Sequence, residues 1–203
     1  MRCFIQCSSE KKRFLLTPSR FRKIKPGIRV EDKGQIGPLD LRLSGGKAIP
    51  NPTILSRPAF SITGLKYARR DTGAIGRLWE RFWEMAKSSI ITSKNHQFLG
   101  ACFHDIDMRN NEIFEYYAGF EFVDAVNIPE KFKTVDIPEN TFAVFTHQGP
   151  VDSIEMTYDQ IYGNWISRST YMPTMDLDII VVDSRFSGRT AKSQVDILIP
   201  VSC

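Results

Sequence analysis

Long apolar runs are absent from this chain of 203 residues, and no stretch approaches the roughly 18 apolar residues that a membrane span requires. The opening residues, MRCFIQCSSEKKRFLLTPSRF, have no continuous apolar segment, which argues against a secretory signal. Cysteine is scarce. The four present (Cys3, Cys7, Cys102 and Cys203) fit no disulfide framework, so a reduced, cytoplasmic setting is the simplest expectation. Cys3 and Cys7 have no second ligand pair nearby to complete a zinc site. Acidic side chains are sparse at one end only. Residues 1–50 hold four Asp/Glu against twelve Lys/Arg, a net of +8, while residues 51–203 hold nineteen against fifteen, a net of −4. The overall charge of +4 therefore belongs to the first quarter of the chain. That quarter shares its Arg/Lys-rich, acid-poor character with organellar transit peptides, but an irregular or partly disordered basic extension is the better reading. The acidic remainder lacks the clustered Lys/Arg needed to neutralise phosphates, so nucleic acid is not its expected partner. A neutral or cationic partner suits it better.

What is there is an ordinary soluble composition, 42% hydrophobic and 25% charged, large enough for one substantial core. Residues 1–50 have weak periodicity and frequent Gly and Pro, and Gly45 to Pro52 reads as a linker into a domain over 51–203. Phe60 to Tyr67 reads as a strand, with Gly64 marking a bulge or a close backbone approach. A helix follows from Ala74 to Ser88, its buried stripe formed by Ile75, Leu78, Trp79, Phe82 and Ala86. Strands are expected over Gln97–His104 and Ile113–Val123, joined by a polar hairpin connection at Asp105–Asn111. The second half repeats this order. A strand at Thr141–Gln148 breaks at Gly149-Pro150. A helix follows over Asp152–Ser167, with Asp152 and Glu155 as a capping pair and Ile154, Tyr158, Ile161 and Trp165 as its stripe. Strands at Leu177–Asp183 and Ser193–Pro200 complete the repeat. β-α-β-β thus occurs twice, an α+β arrangement that commonly builds one sheet with a groove where the halves meet.

Five segments carry a resemblance to a known family: IPENTFAVFTHQGP (137–150), IYGNWI (161–166), VVDSRF (181–186), DILIPV (196–201) and, upstream, FEYYAGFEF (114–122). Their order and spacing resemble the GyrI-like effector-binding domain, also the C-terminal ligand-binding part of Rob- and BmrR-type regulators. The resemblance covers residues 52–203. It implies duplicated βαββ modules forming a curved antiparallel sheet with two helices and a central groove for small lipophilic, often cationic molecules. Residues 1–50 show no helix-turn-helix pattern, so the chain is expected to be a stand-alone effector-binding domain. The family's glutamate in the strand before its D-x-R-F element falls here on Ile180, and its tyrosine on Val182. A two-residue shift keeps the same strand face and makes Asp178 the substitute, ahead of Asp176.

Strand 113–123 places Glu115, Tyr117, Gly119 and Glu121 on one face, with Phe114, Tyr116, Ala118, Phe120 and Phe122 on the other. Glu115 suits a solvent-facing side. Glu121, within the family's G-x-E pattern, suits a carboxylate that attracts a desolvated cation beside aromatic rings. Trp83 and Tyr162 sit at the edges of their helix stripes, where a groove wall would be, and Phe145 or His147 could join them from the strand. The expected ligand contacts are Glu121, Tyr117, Asp178, Trp83, Tyr162, Trp165 and Phe145. No Ser or Cys nucleophile lies in a recognisable motif, and His147 reads as structural, with His96 and His104 offering less. Asp105 to Glu112 lacks the glycine of a calcium loop and places Arg109 at a ligand position, so neither a metal nor a cofactor is expected. Two alternatives to a binding protein remain. One is a hydrolase of reactive small molecules with Glu121 as general base on water. The other is a protein inhibitor of the gyrase-inhibitor type, docking a partner through the basic segment.

Overall fold

The computed structural model describes residues 51–69, 74–88, 97–104, 114–122 and 128–203. The basic extension, the hairpin connection at 105–111 and His96 lie outside the described residues. Among the described residues, nine strands and two α-helices follow one another: β1 (Thr53–Arg57), β2 (Phe60–Arg69), α1 (Ala74–Ser88), β3 (Phe98–His104), β4 (Phe114–Glu121), β5 (Lys133–Ile137), β6 (Asn140–Gln148), α2 (Ile154–Gln160), β7 (Met172–Pro173), β8 (Leu177–Val182) and β9 (Gln194–Ser202). All pairings are antiparallel, in the order β1-β6-β9-β8-β3-β4-β2-β5, with β7 beside β9. The expected repeat is visible in that order. The triplet β2-β4-β3 mirrors β6-β9-β8, and the two triplets meet at the central pair β3–β8.

Strands β1, β5 and β7 were not anticipated, and the first two determine the shape. Pro58 and Ala59 alone connect β1 to β2, yet β1 forms one end of the sheet and β2 lies one strand from the other. Three Cα–Cα steps reach about 11 Å. Six strand spacings across a flat sheet would require about 29 Å. The sheet must therefore curl until its ends approach. Pro138 and Glu139 impose the same closure between β5 and β6. Contacts across the seam agree: Phe60 of β2 lies 6.5 Å from Phe142 of β6, and Arg57 of β1 reaches Glu121 of β4.

Curling gives the sheet an inner and an outer face, and strand alternation divides the apolar residues between them. Ile62, Leu99, Tyr117, Phe142, Ile179 and Leu198 pack inside. The outer face carries Tyr116, Ala118, Phe120, Phe145, Ile180 and Ile197, covered by the helices. Helix α1 runs over the expected residues and packs on β2 and β4. Its stripe of Ile75, Leu78, Trp79 and Phe82 is buried as expected, with Ala86 half-buried. Gly64 and Gly119 face one another across β2 and β4. A Cβ on Gly64 would lie 2.1 Å from the Ala118 carbonyl oxygen, so the backbones approach too closely for any side chain.

Helix α2 departs from expectation at both ends. A 3-10 turn, Val151–Ser153, precedes it, so Asp152 lies inside a helical turn and pairs with Arg189 at 2.9 Å instead of forming a cap with Glu155. The N-cap is Ser153, whose hydroxyl donates to the Pro150 carbonyl and not to the helix. At the other end the helix passes into a π-helical segment, Ile161–Ile166. Its i→i+5 ladder advances the inward position by five residues, from Ile161 to Ile166. Trp165, expected on the buried stripe, is consequently half-buried.

Candidate ligand site on the outer face

Between the helices, the outer face of the sheet is the central pair β3–β8, in which Cys102 faces Asp178 and Gly100 faces Ile180. Asp178 and Ile180 share this face, as the two-residue shift requires. Asp178 is the single acidic residue classed as buried among the described residues. Both its oxygens are engaged. The Tyr158 hydroxyl of α2 donates to Oδ1 at 2.8 Å, and His104 Nε2, at the end of β3, lies 2.7 Å from Oδ2.

Aromatic rings from both helices line this face of the sheet. Tyr162 stacks on Tyr158, with ring planes 8° apart and centroids 6.4 Å apart. Trp165, from the π segment, meets Phe145 edge-on at 5.1 Å and stacks on Tyr171. From α1, Trp83 lies 4.3 Å from Phe98 of β3 and stacks on Trp79. Trp79 Nε1 in turn donates to the Tyr116 hydroxyl at 3.1 Å. Gly100 makes that bond possible, because a Cβ there would stand 2.0 Å from the Tyr116 hydroxyl.

The seven expected contacts are thus split. Asp178, Trp83, Tyr162, Trp165 and Phe145 share the outer face with the helices. Glu121 and Tyr117 belong to the opposite face of β4, where Tyr117 is buried in the inner core beside Phe103. Glu121 is 41% exposed and lies 2.7 Å from Arg57 Nη2, a guanidinium that also covers the Phe60 ring. One ligand cannot touch both sets. A carboxylate held by arginine at the seam also lacks the water-excluding, unpaired surroundings that a general base requires. Tyr158 and His104, which complete the Asp178 site, were not among the expected contacts. Tyr158 read as core because it lies on the helix stripe. His104 had no local pattern at all, since only the pairing of β3 with β8 brings it to the acid.

Cys102, His104 and Asp178 place potential metal-ligating atoms within 4.8 Å of one another. Cys102, expected as a thiol, is disulfide-bonded. It offers no thiolate, and the remaining His–Asp pair falls short of the ligand set of a metal centre. Cys203 is free and exposed.

Two charged features brace the second half without entering the site. After β8, Arg185 binds Asp183 through its backbone N–H, Nε and Nη2 and reaches Asp196 of β9, tying the D-x-R-F turn to the sheet. The guanidinium holds the Asp183 carboxyl below its ordinary value. His147 is buried at the start of the turn into α2. Its Nε2–H donates to the Pro150 carbonyl at 3.2 Å, and its Nδ1 accepts from the Thr157 hydroxyl at 2.7 Å, the neutral tautomer. Burial pushes its pKa below the ordinary 6.5.

Among known proteins, a family model described as the GyrI-like small molecule binding domain matches residues 50–202. The transcriptional regulator BrlR of Pseudomonas aeruginosa is 32% identical over 157 residues, covering 73% of this chain and 54% of that protein. The chain thus spans about half the length of that curated relative. In fold, it is similar to SAV2435 solved with tetraphenylphosphonium bound (TM-score 0.58, 13% identity, 75% of this chain and 94% of that one). It is also similar to the C-terminal domain of EcmrR (TM-score 0.53, 16% identity, 74% and 96%). No described helix is long and apolar enough to cross a membrane. The curled sheet, its two outer helices and the matched span of sequence together place this chain in the GyrI-like small-molecule binding domain family.

Proposed function

We propose that this domain binds lipophilic cations on its outer face, with Asp178 as the charged anchor. Trp83, Tyr162, Trp165 and Phe145 are its aromatic surroundings. The observation that carries the reading is Asp178 itself, an acid buried at the seam of the two halves and bordered by rings. An acid withdrawn from water is costly unless something charged or hydrogen-bonded compensates it. An organic cation with apolar substituents can compensate it while replacing ordered water by ring contacts, and tyrosine and tryptophan faces add cation–π attraction. SAV2435 accommodates tetraphenylphosphonium, which supplies the probe. Its relative BrlR is a transcriptional regulator, and this chain would then serve as the sensing part of a regulatory system, its occupancy read by another protein or domain.

Tryptophan fluorescence titrated with tetraphenylphosphonium tests this, since Trp83 and Trp165 pack on the same outer face of the sheet as Asp178. Saturable quenching is expected, with Asp178→Asn weakening binding at least about tenfold, the loss of one charge-assisted contact. Glu121→Gln should leave the affinity unchanged. A cation that binds Asp178→Asn as tightly as the wild type would remove Asp178 from the site and the proposal with it.

A further inference from the structure

Asp178 has a charge partner already. His104 closes β3, its backbone N–H donates to the Asp176 carbonyl, and its ring spans to Asp178 on the neighbouring strand. The two side chains differ in exposure. Asp178 is 6% exposed and fixed from above by the buried Tyr158, whereas His104 is 26% exposed and sits at a strand end. The groups facing the pair are Tyr158 from α2, the disulfide-bonded Cys102 from β3, and Asp176 ahead of β8. The Asp176 carboxylate oxygens are also withdrawn from solvent. Among the described residues no lysine or arginine appears in these facing groups, and the basic side chain that meets Asp178 is His104.

We infer that His104 is the built-in counter-cation of the site, exchanged for the ligand, so that one proton on His104 competes with one bound cation. This rests on Asp178 being the ligand's anchor. When His104 is protonated, its positive charge holds the carboxylate and repels a second cation. When it is neutral, the ring remains only a hydrogen-bond donor that an incoming cation displaces toward solvent. Linkage then makes the two events reciprocal: cation binding expels a proton, and acidification expels the cation. The domain thus discriminates by charge. Cationic ligands feel the gate, and neutral molecules of the same shape do not.

The test uses the full chain with tetraphenylphosphonium and neutral triphenylphosphine oxide, measured by calorimetry between about pH 5.5 and 8.5, a window that brackets ordinary histidine titration. Below the point where His104 protonates, the cation's Kd should rise about tenfold per pH unit, the signature of one exchanged proton. His104→Gln keeps a donor to Asp178 but cannot titrate, so its cation profile should flatten. The neutral probe should show no such slope in either protein. His147, one hydrogen bond from Thr157, titrates in both proteins, so the difference between their profiles isolates His104. Ligand-free NMR provides a separate measure: the His104 ring should protonate at higher pH in the wild type than in Asp178→Asn. Equal slopes in wild type and His104→Gln, or a His104 titration indifferent to Asp178→Asn, overturn the gate while leaving cation binding standing. A His104 that responds to Asp178 in a protein that takes up no cation at any pH would instead remove the proposed ligand, and the gate with it.

Discussion

The two faces of this sheet are built from the same alternating strands, and both are lined with apolar side chains, yet they are covered in different ways. The inner face is filled by itself. Curling packs Phe60 against Phe142 and leaves Glu121 to arginine at the seam. The outer face is covered by two separate helices that leave the β3–β8 strip between them, and its acid is buried there with a tyrosine and a histidine. An apolar surface closed by its own backbone becomes core. One closed by removable pieces can become a binding site.

That contrast can be broken by substitution. The largest effect is expected on the inner face: Phe142→Ala should cost roughly 3–5 kcal/mol in urea unfolding, through a cavity left in the packed core of the curled sheet. The folded fraction should bind tetraphenylphosphonium as the wild type does, and a large affinity loss would mean that the faces are coupled. On the outer face, Tyr158→Phe should cost about 1.5–3 kcal/mol, the range for a hydrogen bond to a charged group, and should also change cation affinity. His147 tests the hinge of the second half. Its folded pKa lies below 6.5 through burial, so the unfolded chain takes up the proton first as pH falls. Its contribution is complete above the unfolded value and is lost as pH drops through it toward the folded one, with a slope of at most about 1.4 kcal/mol per pH unit. Denaturation of His147→Gln between neutral and mildly acidic pH should lack that component. The smallest effect belongs to Glu121→Gln, within about 1 kcal/mol for a solvent-screened pair, as read in the same unfolding assay.

Sequence patterns conveyed much of the fold. The α1 residues, the β3 and β6 spans and the duplicated order are local signals, carried by periodicity and by breakers such as Gly149-Pro150. The closure was harder to read. β1 and β5 are five-residue strands with mostly exposed side chains, and their partners lie in the other half of the chain. The site was legible only residue by residue. Alternation along β4 correctly separated Glu121 from Phe120, but nothing local indicated which face the helices would cover. That Asp178 shares a face with Ile180 was readable because a strand repeats every two residues. His104 was not, because its role depends on a partner more than seventy positions away.

The two short proline links have a consequence for the ancestry of the domain. β1 precedes the first half yet pairs with β6 of the second, and β5 precedes the second half yet pairs with β2 of the first. Each half therefore gives its leading strand to the other. Cut between β4 and β5, the same wiring describes two identical-pattern chains exchanging strands, the arrangement of a domain-swapped dimer. The halves correspond at an offset of 80 residues, so the centre of the wiring falls on the pair Gly100–Ile180, and Asp178 of the second half corresponds to Phe98 of the first: the acid belongs to one half alone.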